Sequence, residues 1–213
     1  MLVFAMAVTA IVAYSLGGVN GAIIASKYIF GNDIRENGSG NAGLTNAYRV
    51  FGIKGAVVTL AIDTAKAAIA IGLGWLWVGG EAAALIGSPG GQMVGKLFAG
   101  FFAMVGHAFP VWYGYKGGKG VLVCGVMALM INPWVGLCSW GVFILMVLAT
   151  RYVSLGSIVA GAIAFPLFTA IFIQQPIATG LAIASGILII VMHAANINRL
   201  IHGKETKFGA REK

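Results

Sequence analysis

Apolar residues run along this chain in long blocks, and the polar residues gather in short stretches between them. The blocks are Leu2–Ser26, Val50–Val78, Val94–Trp112, Gly120–Ile131, Pro133–Ala149, Ser154–Ile173 and Pro176–Met192. A bilayer's hydrocarbon layer takes about 20 apolar residues in a helix. Gly120–Ile131 is short, so the pattern predicts six or seven spans, with that segment re-entrant in the lower count. The predicted fold class is all-α, a polytopic integral membrane helix bundle of about seven transmembrane helices.

Composition agrees with that pattern. Of 213 residues, 59% are hydrophobic and 9% charged, and mean hydropathy is +0.92; a soluble domain carries about 25% charged residues. Little chain lies outside the blocks, and no repeat or Pro/Ser-rich linker divides them. Residues 1–213 therefore read as a single membrane-embedded domain. No Lys or Arg precedes Lys27, so the basic start of a signal peptide is missing and Leu2–Ser26 reads as a retained span. Cys124 and Cys138 lie in apolar runs and form no CxxC, which points to buried small hydrophobes.

Charge adds an orientation. Apart from Lys54, Lys66 and Lys96, every Lys and Arg follows the first, third, fifth or seventh block, ending with Arg199, Lys204, Lys207, Arg211 and Lys213. The opposite side offers Gly79–Gln92 with Glu81, then Asn132, then Gln174–Gln175. The positive-inside rule puts the N-terminus outside and the C-terminus in the cytoplasm. The formal charge of +8 is mostly this asymmetry. It also favours anionic headgroups or substrates on the inner face, although orientation alone is a sufficient reason for it.

That topology places three polar clusters on one face. The first, Asp33–Arg49, carries Ser39, Asn41, Thr45, Asn46 and Arg49 beside Gly38, Gly40 and Gly43, a set suited to phosphate oxygens. Gly38–Gly43 matches G-x-G-x-x-G, but no βαβ unit surrounds it, so a dinucleotide fold is excluded. The second, His107–Gly120, carries Lys116, Gly117, Gly118, Lys119 and Gly120 just before a predicted helix N-terminus, where anions bind well. Gly120 stands where a Walker A loop needs Ser or Thr. The third combines Thr150–Ser157, with Ser154 and Ser157, and the tail His193–Glu205. If the last span continues as helix, His193 and Asn196 share a face at i, i+3. The bland readings are a structural glycine loop, a helix-orienting basic flank and an interfacial histidine. They do not account for so many donors on one side.

GSGNAGLTNAYR, FPVWYGYKGGKG, TRYVSLGS and HAANINRLIHGKE, in that order, resemble the motifs of the acyl-phosphate:glycerol-3-phosphate acyltransferases, the PlsY family of bacteria. The resemblance runs from about Leu16 to Glu205. It implies an inner-membrane enzyme with its site on the cytoplasmic face. That enzyme would transfer an acyl group from acyl phosphate to the 1-hydroxyl of sn-glycerol 3-phosphate, giving lysophosphatidic acid and phosphate, the first step of phospholipid synthesis. It implies that Arg49, Lys119, His193, Asn196 and Ser39 hold the glycerol 3-phosphate, and that the Gly117–Gly120 backbone, with Asn41 and Thr45, holds the acyl-phosphate headgroup. Gly38, Gly40, Asn46, Lys116, Ser154 and Ser157 complete the candidate substrate-binding set, and Glu205 looks structural. Its partners are the two substrates, membrane lipids and an upstream enzyme that forms acyl phosphate, with no nucleic acid. Four positions depart from the family's habit: Leu44, Ala67, Val123 and Ala194. They bear on substrate affinity and on detail behind the main polar groups.

Acyl phosphate is already activated, so positioning and charge stabilisation suffice. No cofactor is implied, and no His, Asp, Glu or Cys group has metal-ligand spacing. No His-x4-Asp dyad exists, and a substrate phosphate is the expected proton acceptor. Asp63 and Lys66 interrupt the second block at i, i+3. Each intramembrane charge costs about 2.5–3.5 kcal/mol on insertion scales. A structural ion pair is the expectation. A transport path is the rival, against which the other polar groups lie on one side and not at a midplane.

Overall fold

The computed structural model describes residues 1–209. Arg211 and Lys213, counted above in the basic tail, lie outside the described residues. Among the described residues every regular element is a helix.

The first block folds as two helices, α1 (Leu2–Gly18) and α2 (Gly21–Tyr28). Asn20 causes the break: its Oδ1 accepts the Ile23 N–H at 3.0 Å and caps α2. Its Nδ2 donates to Ala42 O at 3.0 Å, which ties the break to the first polar cluster. The next helix, α3 (Leu44–Gly74), starts inside that cluster, ahead of the apolar block, so Thr45, Asn46 and Arg49 ride on its first turns. Gly52, at φ 64° and ψ −157°, kinks it below them. One π-type turn, Trp75–Gly79, then leads into α4 (Gly80–Ile86). Much of the expected loop Gly79–Gln92, with Glu81, is therefore helix. Its Ala82–Ala84 run favours that outcome.

The central helix is α5 (Gly90–Ala108). Close packing explains its small residues. A Cβ at Gly17 would fall 2.1 Å from Ala103 O, and one at Gly106 would fall 2.0 Å from Tyr14 O. Backbone contact of this kind is how helices associate without water to drive them. Then come α6 (Val121–Ile131), α7 (Pro133–Thr150), α8 (Val153–Ile158), a π-type stretch at Val159–Ala164, α9 (Phe165–Ile173), α10 (Pro176–Met192) and α11 (Ala194–Ile201). Leu97, Met104, Met127 and Phe165 are fully buried in the core between α5, α6 and α9, while Phe4, Leu148 and Ile187 face outward, as lipid contact demands.

Among the described residues, five stretches are long and apolar enough to cross a membrane: Leu2–Tyr28, Leu44–Ile86, Gly90–Tyr113, Pro133–Thr150 and Val153–Ile173. α10 and α11 make a sixth if taken together. With 11 residues, α6 reaches only about 16 Å. Every expected block is helical, but five or six have span length where six or seven were expected.

The last span does not continue straight. It bends by 61° between α10 and α11, at His193. The His193 ring bonds through Nδ1 to Ile189 O at 2.8 Å, and its own N–H is shared between Ile189 O and Ile190 O. A side chain competing for the carbonyl four residues back loosens the ladder and favours the bend. His193 and Asn196 are thus neighbours across a bend and do not share the face of one helix.

Asp63 and Lys66 are buried and paired at 2.8 Å. Asp63 Oδ1 also accepts the Gly21 N–H at 3.0 Å, and Lys66 Nζ donates to Gly17 O at 2.9 Å and Val19 O at 2.5 Å. The pair satisfies the backbone groups that the α1–α2 break leaves open.

Candidate active site

The three polar clusters converge on one cavity of about 580 Å³. Ser39, Asn41, Thr45 and Arg49 line it from the first cluster, Gly117 and Lys119 from the second, and Ser154, Ser157, His193, Asn196 and Glu205 from the third. Val121, Leu122, Trp140, Phe143 and Met192 give it an apolar wall. Among the described residues, no group of three His, Cys, Asp or Glu side chains is placed to hold a metal ion.

The first loop is built by its own polar side chains. Asp33 caps the turn Ile34–Glu36 and grips Arg35 through both oxygens, at 2.9 and 2.7 Å. That hydrogen bonding holds the Asp33 carboxyl down at about 2 and raises Arg35. Arg35 Nη1 then donates to Tyr113 O at 2.9 Å, fastening the first cluster to the second. Asn46 is 1% exposed and fully engaged: Oδ1 accepts the Ser39 N–H at 2.9 Å, and Nδ2 donates to Asn37 O at 2.9 Å and Ile34 O at 3.3 Å. It borders the cavity as a brace that holds Ser39 and Gly38, and has no N–H left to donate to a phosphate. A Cβ at Gly38, φ +59°, would meet the same Oδ1 at 2.4 Å.

The second loop differs from expectation. The Gly117 N–H donates to Ala108 O at 3.2 Å and the Gly118 N–H to His107 O at 3.0 Å, closing the C-terminus of α5. Those two donors are engaged, so the N–H groups that remain for an anion here include those at the start of α6, past Gly120 at φ +76°. Gly118 and Gly120 are buried behind the cavity, and Lys116 is exposed outside it. Lys119 is the lysine that points in.

Lys119 Nζ donates to Asn196 Oδ1. Asn196 Nδ2 donates to Glu205 Oε1 at 2.8 Å, and Glu205 also accepts from Ser154 Oγ at 2.8 Å and Arg199 Nε at 2.7 Å. Glu205 is thus a hub that orients α8 and α11 toward Lys119. Burial alone would raise its carboxyl, but these three donors outweigh that and lower it. Burial, with Arg199 and Arg49 nearby and Glu205 opposing, brings Lys119 down to about 8. Ser157 turns its hydroxyl back to Val153 O at 2.8 Å. His193, 2% exposed, donates from Nδ1 to Ile189 O, since a carbonyl only accepts; the neutral ring therefore carries a lone pair on Nε2.

A cavity with cations on one wall and aromatic and aliphatic side chains on the other suits a phosphate joined to a fatty chain. The family model for glycerol-3-phosphate acyltransferase matches residues 7–203. The chain belongs to this family. A glycerol-3-phosphate acyltransferase of Finegoldia magna is 39% identical over 200 residues, covering 93% of this chain and 94% of its own. The crystal structure of PlsY (YgiH), an integral membrane glycerol 3-phosphate acyltransferase, in its glycerol 3-phosphate form, is 34% identical and covers 96% of both chains at a TM-score of 0.82. The lysophosphatidic acid form of PlsY is 32% identical, with a TM-score of 0.79 over 96% of this chain and 95% of that one.

Of the four departures from the family's habit, only Leu44 reaches the cavity. Ala67 and Val123 are fully buried in the apolar core, and Ala194 is exposed on the outer side of the bend. Sequence reasoning left out Arg199, His107, Trp140, Phe143, Thr206 and Phe208, all of which line the site. Arg199 lies in HAANINRLIHGKE and His107 opens the second polar cluster, so both were open to selection. Trp140 and Phe143 sit in an apolar run where nothing separates a site wall from a lipid-facing residue.

Proposed function

We propose that this member of the glycerol-3-phosphate acyltransferase family moves a fatty acyl group from acyl phosphate to the 1-hydroxyl of sn-glycerol 3-phosphate. The products are lysophosphatidic acid and inorganic phosphate. The reading rests on one observation: three segments far apart in sequence bring Ser39, Arg49, Lys119, His193 and Asn196 to one cavity that also has an apolar wall. Membership of the family supports it. The whole chain acts as one unit in a bacterial inner membrane, with the N-terminus outside and the site facing the cytoplasm, where an upstream enzyme supplies acyl phosphate.

Arg49, Lys119 and Ser39 hold the acceptor's phosphate, and the start of α6 with Asn41 and Thr45 holds the donor's headgroup. The fatty chain lies along Val121, Leu122, Trp140 and Phe143. The hydroxyl oxygen attacks the acyl carbonyl, the carbon–oxygen bond to phosphate breaks, and the departing phosphate takes the hydroxyl proton. Positioning and cationic stabilisation supply the acceleration. His193, through Nε2, orients the acceptor by receiving a hydrogen bond from one of its hydroxyls.

The test is phosphate release from palmitoyl phosphate by purified protein, with and without glycerol 3-phosphate. Acceptor-dependent release with formation of lysophosphatidic acid is expected, with R49A and H193A each reduced at least a hundredfold. Folded protein inert with acyl phosphate, acyl-CoA and acyl carrier protein donors alike would overturn the reading.

A further inference from the structure

The buried pair Asp63–Lys66 does more than close the α1–α2 break. Lys66 Nζ also lies 2.9 Å from Nδ1 of His107, at the end of α5. Asp63 Oδ1 is 3.9 Å from the same nitrogen. An ammonium has no lone pair and repels an N–H, so the ring nitrogen facing it presents its lone pair, and the proton of the neutral ring sits on Nε2. His107 is only 4% exposed, yet it lines the cavity. No described residue accepts from Nε2, which lies on the side of the ring away from Lys66. Gly118 packs directly against it: a Cβ at that position would fall 2.2 Å from Nε2 and 2.6 Å from Ala42 O.

An N–H with no protein acceptor, held in one tautomer on a ring that borders the cavity, is open to an anion. We propose that His107 Nε2–H is a further donor to the acyl-phosphate headgroup, fixed in that role by Lys66 and Asp63; this rests on the acyl-phosphate reading above. The headgroup is favoured over the acceptor's phosphate because Nε2 packs beside Gly118, in the loop that leads into α6. The two cavity histidines then have opposite roles. His107 gives a hydrogen bond, and His193, with its proton held by Ile189 O, receives one.

Kinetics and ring tautomers test this together. H107F removes the donor and keeps a ring; the expected result is a KM for palmitoyl phosphate raised about tenfold or more, with KM for glycerol 3-phosphate within about twofold of wild type. H107Q, which restores an N–H near the Nε2 position, is expected to recover most of the loss. In wild-type protein labelled with ¹⁵N-histidine, His107 is expected to show a protonated Nε2 and a bare Nδ1, and the Nε2–H signal should move on adding hexadecyl phosphonate. That reading stands even if H107F does not fold. An Nδ1–H tautomer, an Nε2–H signal unmoved by the phosphonate, or H107F with unchanged or equally raised KM for both substrates would overturn the proposal. Wild-type protein inert with palmitoyl phosphate but active with another acyl donor would remove the acyl-phosphate reading itself, a separate failure.

Discussion

At the scale of single residues, charge and tautomer decide what each side chain can do. Lys119 has a lysine's pKa brought down to about 8 by burial first and by Arg199 and Arg49 next. A depressed lysine is charged below that value and neutral above it. The expected outcome is a kcat/KM for glycerol 3-phosphate that falls about tenfold per pH unit above about 8, because the form that attracts a phosphate dianion is being lost. The K119R variant, whose guanidinium keeps its proton, should show no such fall up to about pH 10, read from the same pH profile. Sequence gave access to the identity of these residues and not to their state. Lys116 and Lys119 look equivalent in KGGKG, yet Lys116 faces solvent and Lys119 meets Asn196. Asn46 stands among the loop's donors, and only the fold reveals that its amide is fully engaged with Ser39, Asn37 and Ile34.

At the scale of elements, irregular backbone positions the chemistry. Gly52 sits at φ 64° and separates the site-bearing first turns of α3 from its membrane portion. A Cβ there meets nothing within 4 Å, so G52A tests backbone strain alone. We expect a loss of about 1–3 kcal/mol, seen as a lower thermal midpoint in detergent. Glu205 joins Ser154 of α8 to Asn196 and Arg199 of α11. E205Q keeps the shape but turns one acceptor oxygen into an NH2 that faces a donor; a loss of about 1–3 kcal/mol and a raised KM for glycerol 3-phosphate are expected. Unchanged KM would mean that Asn196 holds its place without the hub. Apolar blocks made the helices legible, because a bilayer imposes length and composition together. The bend at His193 was not legible: the residues around it are ordinary helix formers, and the cause is a ring bonding to its own helix.

At the scale of the molecule, the family's motifs announced that the clusters act together, and the fold supplies the reason, which is cross-bracing between distant segments. Arg35 reaches Tyr113 O, Asn20 reaches Ala42 O, and Lys66 reaches both the α1–α2 break and His107. The expected effect of D63A is a loss of about 3–5 kcal/mol, since it strands a buried ammonium. The double variant D63L/K66M removes both charges but leaves Gly17 O, Val19 O and the Gly21 N–H all without their partners, so no recovery over D63A is expected in folded yield or thermal midpoint. A D63A protein of wild-type stability would show the pair to be dispensable.

The broken first span has a consequence for how the chain enters the bilayer. Gly17 O, Val19 O and the Gly21 N–H lie open within a stretch long enough to cross a membrane, and their partners come from α3. Lipid offers no substitute, and each open group there costs several kcal/mol. The first stretch is therefore a poor integrated segment until the ribosome has delivered α3. Insertion is expected to proceed by the pair, with α1 and α2 held near the translocon until Asp63 and Lys66 emerge. Nascent chains stalled before residue 63 should remain extractable from the membrane, and those stalled well beyond it should not.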